Sequence, residues 1–167
     1  MAIVIGVILA IIFMYFLIIY NVMIKRQNEV EHAKSSIDVY LTQRFDLIPN
    51  LVTCVKEYAK YEEKIFEEIT ELRTEYLKTK ELSNGEKLEK ELNDVILTVE
   101  NYPELKANEQ FLNLQKNLTK MENQIQAARR IYNNEVEKYN NAINIFPNTI
   151  LAKLLKFKTA EFFQKGE

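Results

Sequence analysis

Cys54 and His32 are the single cysteine and single histidine of this 167-residue chain, and a thiol nucleophile would need both. The base must lie within hydrogen-bond reach of the sulfur. If the flanking helices fold back about a turn near Leu47, Cys54 comes opposite about Tyr40. His32 then sits about eight residues further on, or ~12 Å of helix rise. A Cys–His pair is not expected, and Cys54 reads as a small core side chain or a half-buried spectator. Glu29-Val30-Glu31-His32 has the Glu-x-x-His spacing of di-iron bundles. That site takes two such motifs from two helices plus further glutamates, which one histidine cannot furnish. Cys/His zinc sites and disulfide frameworks fail on the same count. Gly6, Gly85 and Gly166 are too dispersed for a phosphate cradle. Tyr132 and Tyr139, seven apart, fit a core stripe with polar tips. No catalytic residue, cofactor site or metal site is expected, and the chain reads as non-enzymatic.

The elements that would carry these residues are helical. The first runs on through Val30, Ala33, Ile37 and Leu41 and stops near Phe45, because the position before Pro49 disfavours the α region. A second, about 49–81, aligns Val52, Val55, Ala59, Phe66, Ile69 and Leu72, and Ser83-Asn84-Gly85 is read as the turn that ends it. A third, about 86–101, uses Leu88, Leu92, Val95, Ile96 and Val99 and breaks at Tyr102-Pro103. The fourth, about 108–145, carries Phe111, Leu114, Leu118, Met121, Ile125, Ala128, Tyr132, Tyr139 and Ile143. Phe146-Pro147-Asn148 closes it before a short helix from Thr149 to Phe157. With no strand alternation of useful length, the expected fold is all-α: an N-terminal transmembrane helix continuing into an antiparallel four-helix bundle, with a short C-terminal amphipathic helix.

The transmembrane reading rests on Met1–Ile24, which holds 15 Ile, Val, Leu and Phe and no charged side chain. Those favour insertion by about 4 to 9 kcal/mol. A cleaved signal peptide would want a basic n-region and a small-x-small site, and neither is present. Residues 1–24 are therefore expected as an uncleaved anchor and 25–167 as the bundle. Lys25 and Arg26 follow the anchor at once and nothing basic precedes it. The positive-inside bias puts the N-terminus outside and the bulk of the chain in the cytoplasm. Residues 56–100 hold 13 acidic and 8 basic side chains, which argues against a nucleic-acid partner.

The ordered motifs resemble the LemA family of bacterial membrane-anchored helical proteins. The resemblance is carried by Ala33, Ser36-Ile37-Asp38-Val39, Leu41, Arg44, Asp46-Leu47-Ile48-Pro49-Asn50-Leu51-Val52, Tyr58-Ala59 and Tyr102-Pro103-Glu104-Leu105-Lys106-Ala107-Asn108. Phe111, Leu114, Gln115, Glu122-Asn123-Gln124-Ile125, Ala128-Arg129-Arg130, Tyr132-Asn133, Val136, Tyr139-Asn140, Phe146-Pro147 and Phe162-Phe163 continue it. Lys34 and Gln43 depart from it, standing where Trp and a second Arg are usual. The resemblance implies a single-span anchor and an antiparallel four-helix bundle, without an agreed activity. A relative acts in magnetosome membrane formation, which suggests membrane organisation by analogy.

Among these motifs, Asp38, Arg44, Asp46, Asn50, Asn108, Arg129, Arg130, Asn133 and Asn140 lie at helix ends and on helix faces. They read as a structural network that caps helices and fixes register. The alternative is a ligand-binding sensor built around Asp38, Arg44, Asp46, Arg129 and Arg130. In the last segment Ile150, Leu151, Leu154 and Leu155 share one side of a helical wheel with Lys153 and Lys156 opposite. Two readings follow: Lys153, Lys156 and Lys158 meet anionic lipid, or the tail simply packs on the bundle. The expected function is a membrane-tethered scaffold or adaptor. Its partners would be the lipid bilayer, further copies of itself in a homo-oligomer, and an unidentified membrane or cytoplasmic protein.

Overall fold

The computed structural model describes residues 1–58, 63–99 and 102–163. The order is α1 (Ala2–Phe45), α2 (Ile48–Tyr58), α3 (Glu63–Thr79), α4 (Leu82–Val99), α5 (Pro103–Lys106), α6 (Glu109–Asn144) and α7 (Asn148–Leu154), with no strand among the described residues. The all-α class follows the sequence closely. Of the expected second helix, Ala59 lies outside the described residues, and the stretch is seen as α2 and α3 on either side of it.

The chain divides into two compact units, one of residues 1–36 with 127–167 and the other of residues 37–126. In the second, Ile37, Leu41 and Phe45 recur every four residues along α1 and are buried with Leu51 and Val55 of α2, Ile69 and Tyr76 of α3, and Leu88 and Leu92 of α4. Leu105, Phe111, Leu118 and Ile125 complete that core. Asn108 caps α6: its Oδ1 accepts the Phe111 N–H at 3.1 Å.

The turn between α3 and α4 differs from expectation. It falls at Lys80, whose N–H reaches the Tyr76 carbonyl at 2.8 Å and whose φ of 54° is left-handed. Ser83-Asn84-Gly85 lies inside α4 instead. Asn84 is buried there and donates to Glu75 Oε1 at 3.2 Å. A Cβ on Gly85 would stand 3.1 Å from the Tyr76 ring, which packs edge-on against Phe45 at 5.0 Å. This glycine serves close packing rather than a turn.

In the first unit, Ile19, Met23 and Val30 of α1 share a core with Val136, Tyr139 and Ile143 of α6 and Ala152 of α7. Tyr132 senses the charge of Glu31, while Tyr139 lines a pocket with Ile24 and Gln27, so here α6 runs back along α1 toward its apolar end. That end has a mean hydropathy of 3.2 over 18 residues and is almost wholly exposed, a helix long and apolar enough to cross a membrane. α7 closes with the Phe157 N–H on the Ala152 carbonyl at 2.9 Å and the Lys156 N–H on the Lys153 carbonyl at 3.2 Å. This is the Schellman pattern, with Lys156 at φ 59° in the place that glycine usually takes.

Candidate functional site

Two polar arrangements stand out, one in each unit. In the unit of residues 37–126, Arg44 on α1 is 3% exposed. Its Nη1 donates to Glu89 Oε1 of α4 at 3.1 Å and also to Glu122 Oε2 of α6, and its Nη2 donates to Asn93 Oδ1 of α4 at 3.0 Å. A planar guanidinium can hold three partners from two helices at once, which a lysine ammonium on a flexible stem does less well. Nearby, Arg73 donates from Nε to the Phe45 carbonyl and from Nη2 to Asp46 Oδ1, both at 2.9 Å. Asp46 thus anchors the arginine that satisfies a free carbonyl at the end of α1. Burial chiefly, then the charge of Asp38, pushes the Tyr76 phenol well above its ordinary range, so it stays protonated. Cys54 is half-buried. Asn50 is exposed on α2.

The second arrangement holds residues 157–163 against α6. The Asn133 side-chain amide donates to the Phe163 carbonyl at 3.0 Å and accepts the Phe163 N–H at 2.8 Å. Asn140 repeats this on Ala160, with both bonds at 2.9 Å. Tyr132 donates to the Glu161 carbonyl at 2.9 Å and Tyr139 to the Lys158 carbonyl at 2.8 Å. Arg129 lies over the Phe163 ring, 4.4 Å from its centroid. Burial raises the phenol pKa of Tyr139, and burial followed by the Glu31 and Glu161 charges raises that of Tyr132. Both therefore remain donors at neutral pH. Arg130, beside this strap, is exposed.

α7 divides the apolar side expected of it. Ala152 is buried and Leu151 packs partly on the core, whereas Ile150 is 58% and Leu154 75% exposed. Ile145 and Phe146, the latter 76% exposed, continue the outward surface. Lys153, Lys156 and Lys158 are exposed around it. Phe157 stands edge-on to Tyr20 at 6.3 Å, which places the start of the strap beside the end of the apolar segment. The Glu-x-x-His residues line a shallow groove of about 780 Å³, where Glu29 pairs with Arg26 at 2.7 Å and Glu135 with Lys138 at 2.8 Å.

A protein-family model described as the LemA family matches residues 33–167. This chain belongs to the LemA family. It is 25% identical over 176 residues to Magnetosome protein MamQ 1 and to MamQ 2 of Paramagnetospirillum magneticum, across 87% of this chain and 65% of each relative. To Protein LemA of Metamycoplasma hominis it is 24% identical over 152 residues, across 88% of this chain and 69% of that protein. The chain thus spans about two thirds of the length of the MamQ proteins.

The LemA-family match contains both polar arrangements and begins after the apolar segment. Of the nine polar residues singled out in sequence, Asp38, Arg44, Asp46, Asn50 and Asn108 lie in one unit, and Arg129, Arg130, Asn133 and Asn140 lie in the other. Sequence reasoning did not find Glu89, Asn93 and Arg73, the partners of Arg44 and Asp46. It also treated Tyr132 and Tyr139 as core tips when their hydroxyls grip the backbone of residues 157–163. The one available signal was the repeated Tyr-Asn pair, seven residues apart.

Proposed function

We propose that this LemA-family chain is a membrane-anchored, non-enzymatic scaffold that acts by self-association and partner binding at a membrane surface. The observation that carries this reading is the continuity of α1. The helix that is apolar and exposed from its start supplies Ile19, Met23 and Val30 to a folded core without an intervening linker. An anchor built in this way confines the folded part to two dimensions and raises its effective concentration toward neighbours. Kinship with proteins named for the magnetosome supports a place at a membrane. Lys25 and Arg26 favour an N-terminus outside and a cytoplasmic body.

A ligand sensor built around Arg44 is the rival. Its guanidinium is already engaged by Glu89, Glu122 and Asn93, which leaves little for an anionic ligand. Lysine-directed cross-linking in native membranes, read by mass spectrometry, tests the proposal. Links between copies, or repeated links to one other protein, are expected. Links confined to single chains would remove the scaffold reading.

A further inference from the structure

The hydrogen bonds that α6 side chains make to residues 157–163 all go to main chain. Asn133 and Asn140 each give one residue of the strap a donor and an acceptor, as a neighbouring β-strand would. Seven residues of α6 rise about 10.5 Å, and three residues of extended chain cover about 10 Å. The Asn133–Asn140 spacing therefore matches the Phe163–Ala160 spacing, and Tyr132–Tyr139 matches Glu161–Lys158 in the same register. α6 thus carries a ruled site for an extended peptide running antiparallel to it.

Side chains enter at every third position. Phe157 and Ala160 pack against the core and Phe163 lies under Arg129, while Lys158, Thr159, Glu161 and Phe162 face solvent. A segment that fits must be extended, free of proline at the two clipped positions, and carry Phe-x-x-Ala-x-x-Phe. The strap of a second copy meets all of these terms. The strap doubles back from α7 through one residue, Lys156 at φ 59°. A side-chain-bearing residue is disfavoured there, and straightening it releases the strap outward. Short, strained hinges of this kind favour exchange of identical elements between copies.

We infer that the Tyr132–Asn140 face of α6 is a peptide-docking site whose occupant is exchanged, the strap of one chain seating on α6 of another. This rests on the scaffold reading and supplies the contact by which copies join. The test places p-benzoylphenylalanine at the exposed position Phe162 in the full-length chain, co-reconstituted in membranes with an affinity-tagged copy. Illumination should link the two chains, with the link mapping to residues 129–140 of the tagged copy. Asn133→Leu with Asn140→Leu in the tagged copy should lower the yield by about thirtyfold or more, since four hydrogen bonds are lost.

A free peptide of residues 155–163 guards against misfolding of that variant. It should compete with the link, and the same peptide N-methylated at Ala160 and Phe163 should not. Links confined to single chains, no links at all, or equal competition by both peptides would each overturn the exchange. If native-membrane cross-linking still joins copies in that case, the scaffold stands and its contact lies elsewhere.

Discussion

Arg44 shows how one buried side chain can tie three helices together. Its charge is buried, so its value lies in the partners that accompany it into the interior. Arg44→Met strands Glu89, which is 9% exposed, and should cost about 3–5 kcal/mol in chemical denaturation of the detergent-solubilised chain. Adding Glu89→Leu should restore most of that loss, because Glu122 is more exposed and can turn to water. Equal costs for the single and the double variant would contradict a paired centre. Arg44 was visible in the sequence as a polar residue within an apolar stripe. Glu89 and Asn93 were not, because on α4 they look like two more solvated residues in an acidic stretch, and only the packing of α4 against α1 and α6 turns them inward. Gly85 was misread for a related reason: Ser-Asn-Gly is ordinary turn chemistry, and the ring of Tyr76 that excludes a Cβ is brought there only when α4 folds back on α3.

At the scale of elements, periodicity and proline placed most helices, and the ends of α1, α4 and α6 fall close to where Pro49, Pro103 and Pro147 put them. What periodicity could not resolve was α7. A seven-residue helix makes two turns, so a wheel groups Ile150, Leu151, Leu154 and Leu155 without telling inward from outward. The core takes Leu151 and Ala152 and leaves Ile145, Phe146, Ile150 and Leu154 bare next to the end of the apolar segment. Residues 2–24 of that segment measure about 35 Å as helix against ~30 Å of hydrocarbon, so in a bilayer its last turn and α7 are expected at the interface together. The outward residues are then expected to enter lipid, with Lys153, Lys156 and Lys158 among the headgroups. The chain has no tryptophan, so Phe146→Trp provides a single reporter. In vesicles with anionic lipid its emission should be quenched by brominated acyl chains, and less so when the three lysines are changed to Glu. Quenching by aqueous acrylamide instead would place α7 in water.

For the whole molecule, the informative contrast is between polar groups that tie helices and a strap together and an apolar end that stands exposed. Arg44, Arg73, Tyr132 and Tyr139 are each engaged with another side chain or with main chain. The apolar helix was legible from the first 24 residues, because the run carries no charged side chain and its length alone suffices to cross a bilayer. The strap was not legible, since its clips read backbone, and Phe157, Ala160 and Phe163 at every third position match neither the helical nor the strand period. The proposed scaffold role depends on α1 staying intact and in lipid. The most direct test is alkaline carbonate extraction of membranes containing the full chain, followed by an intact-mass measurement on each fraction. The account predicts the chain in the pellet with residues 1–24 attached. A chain that begins after Ile24 and is released into the supernatant would contradict it.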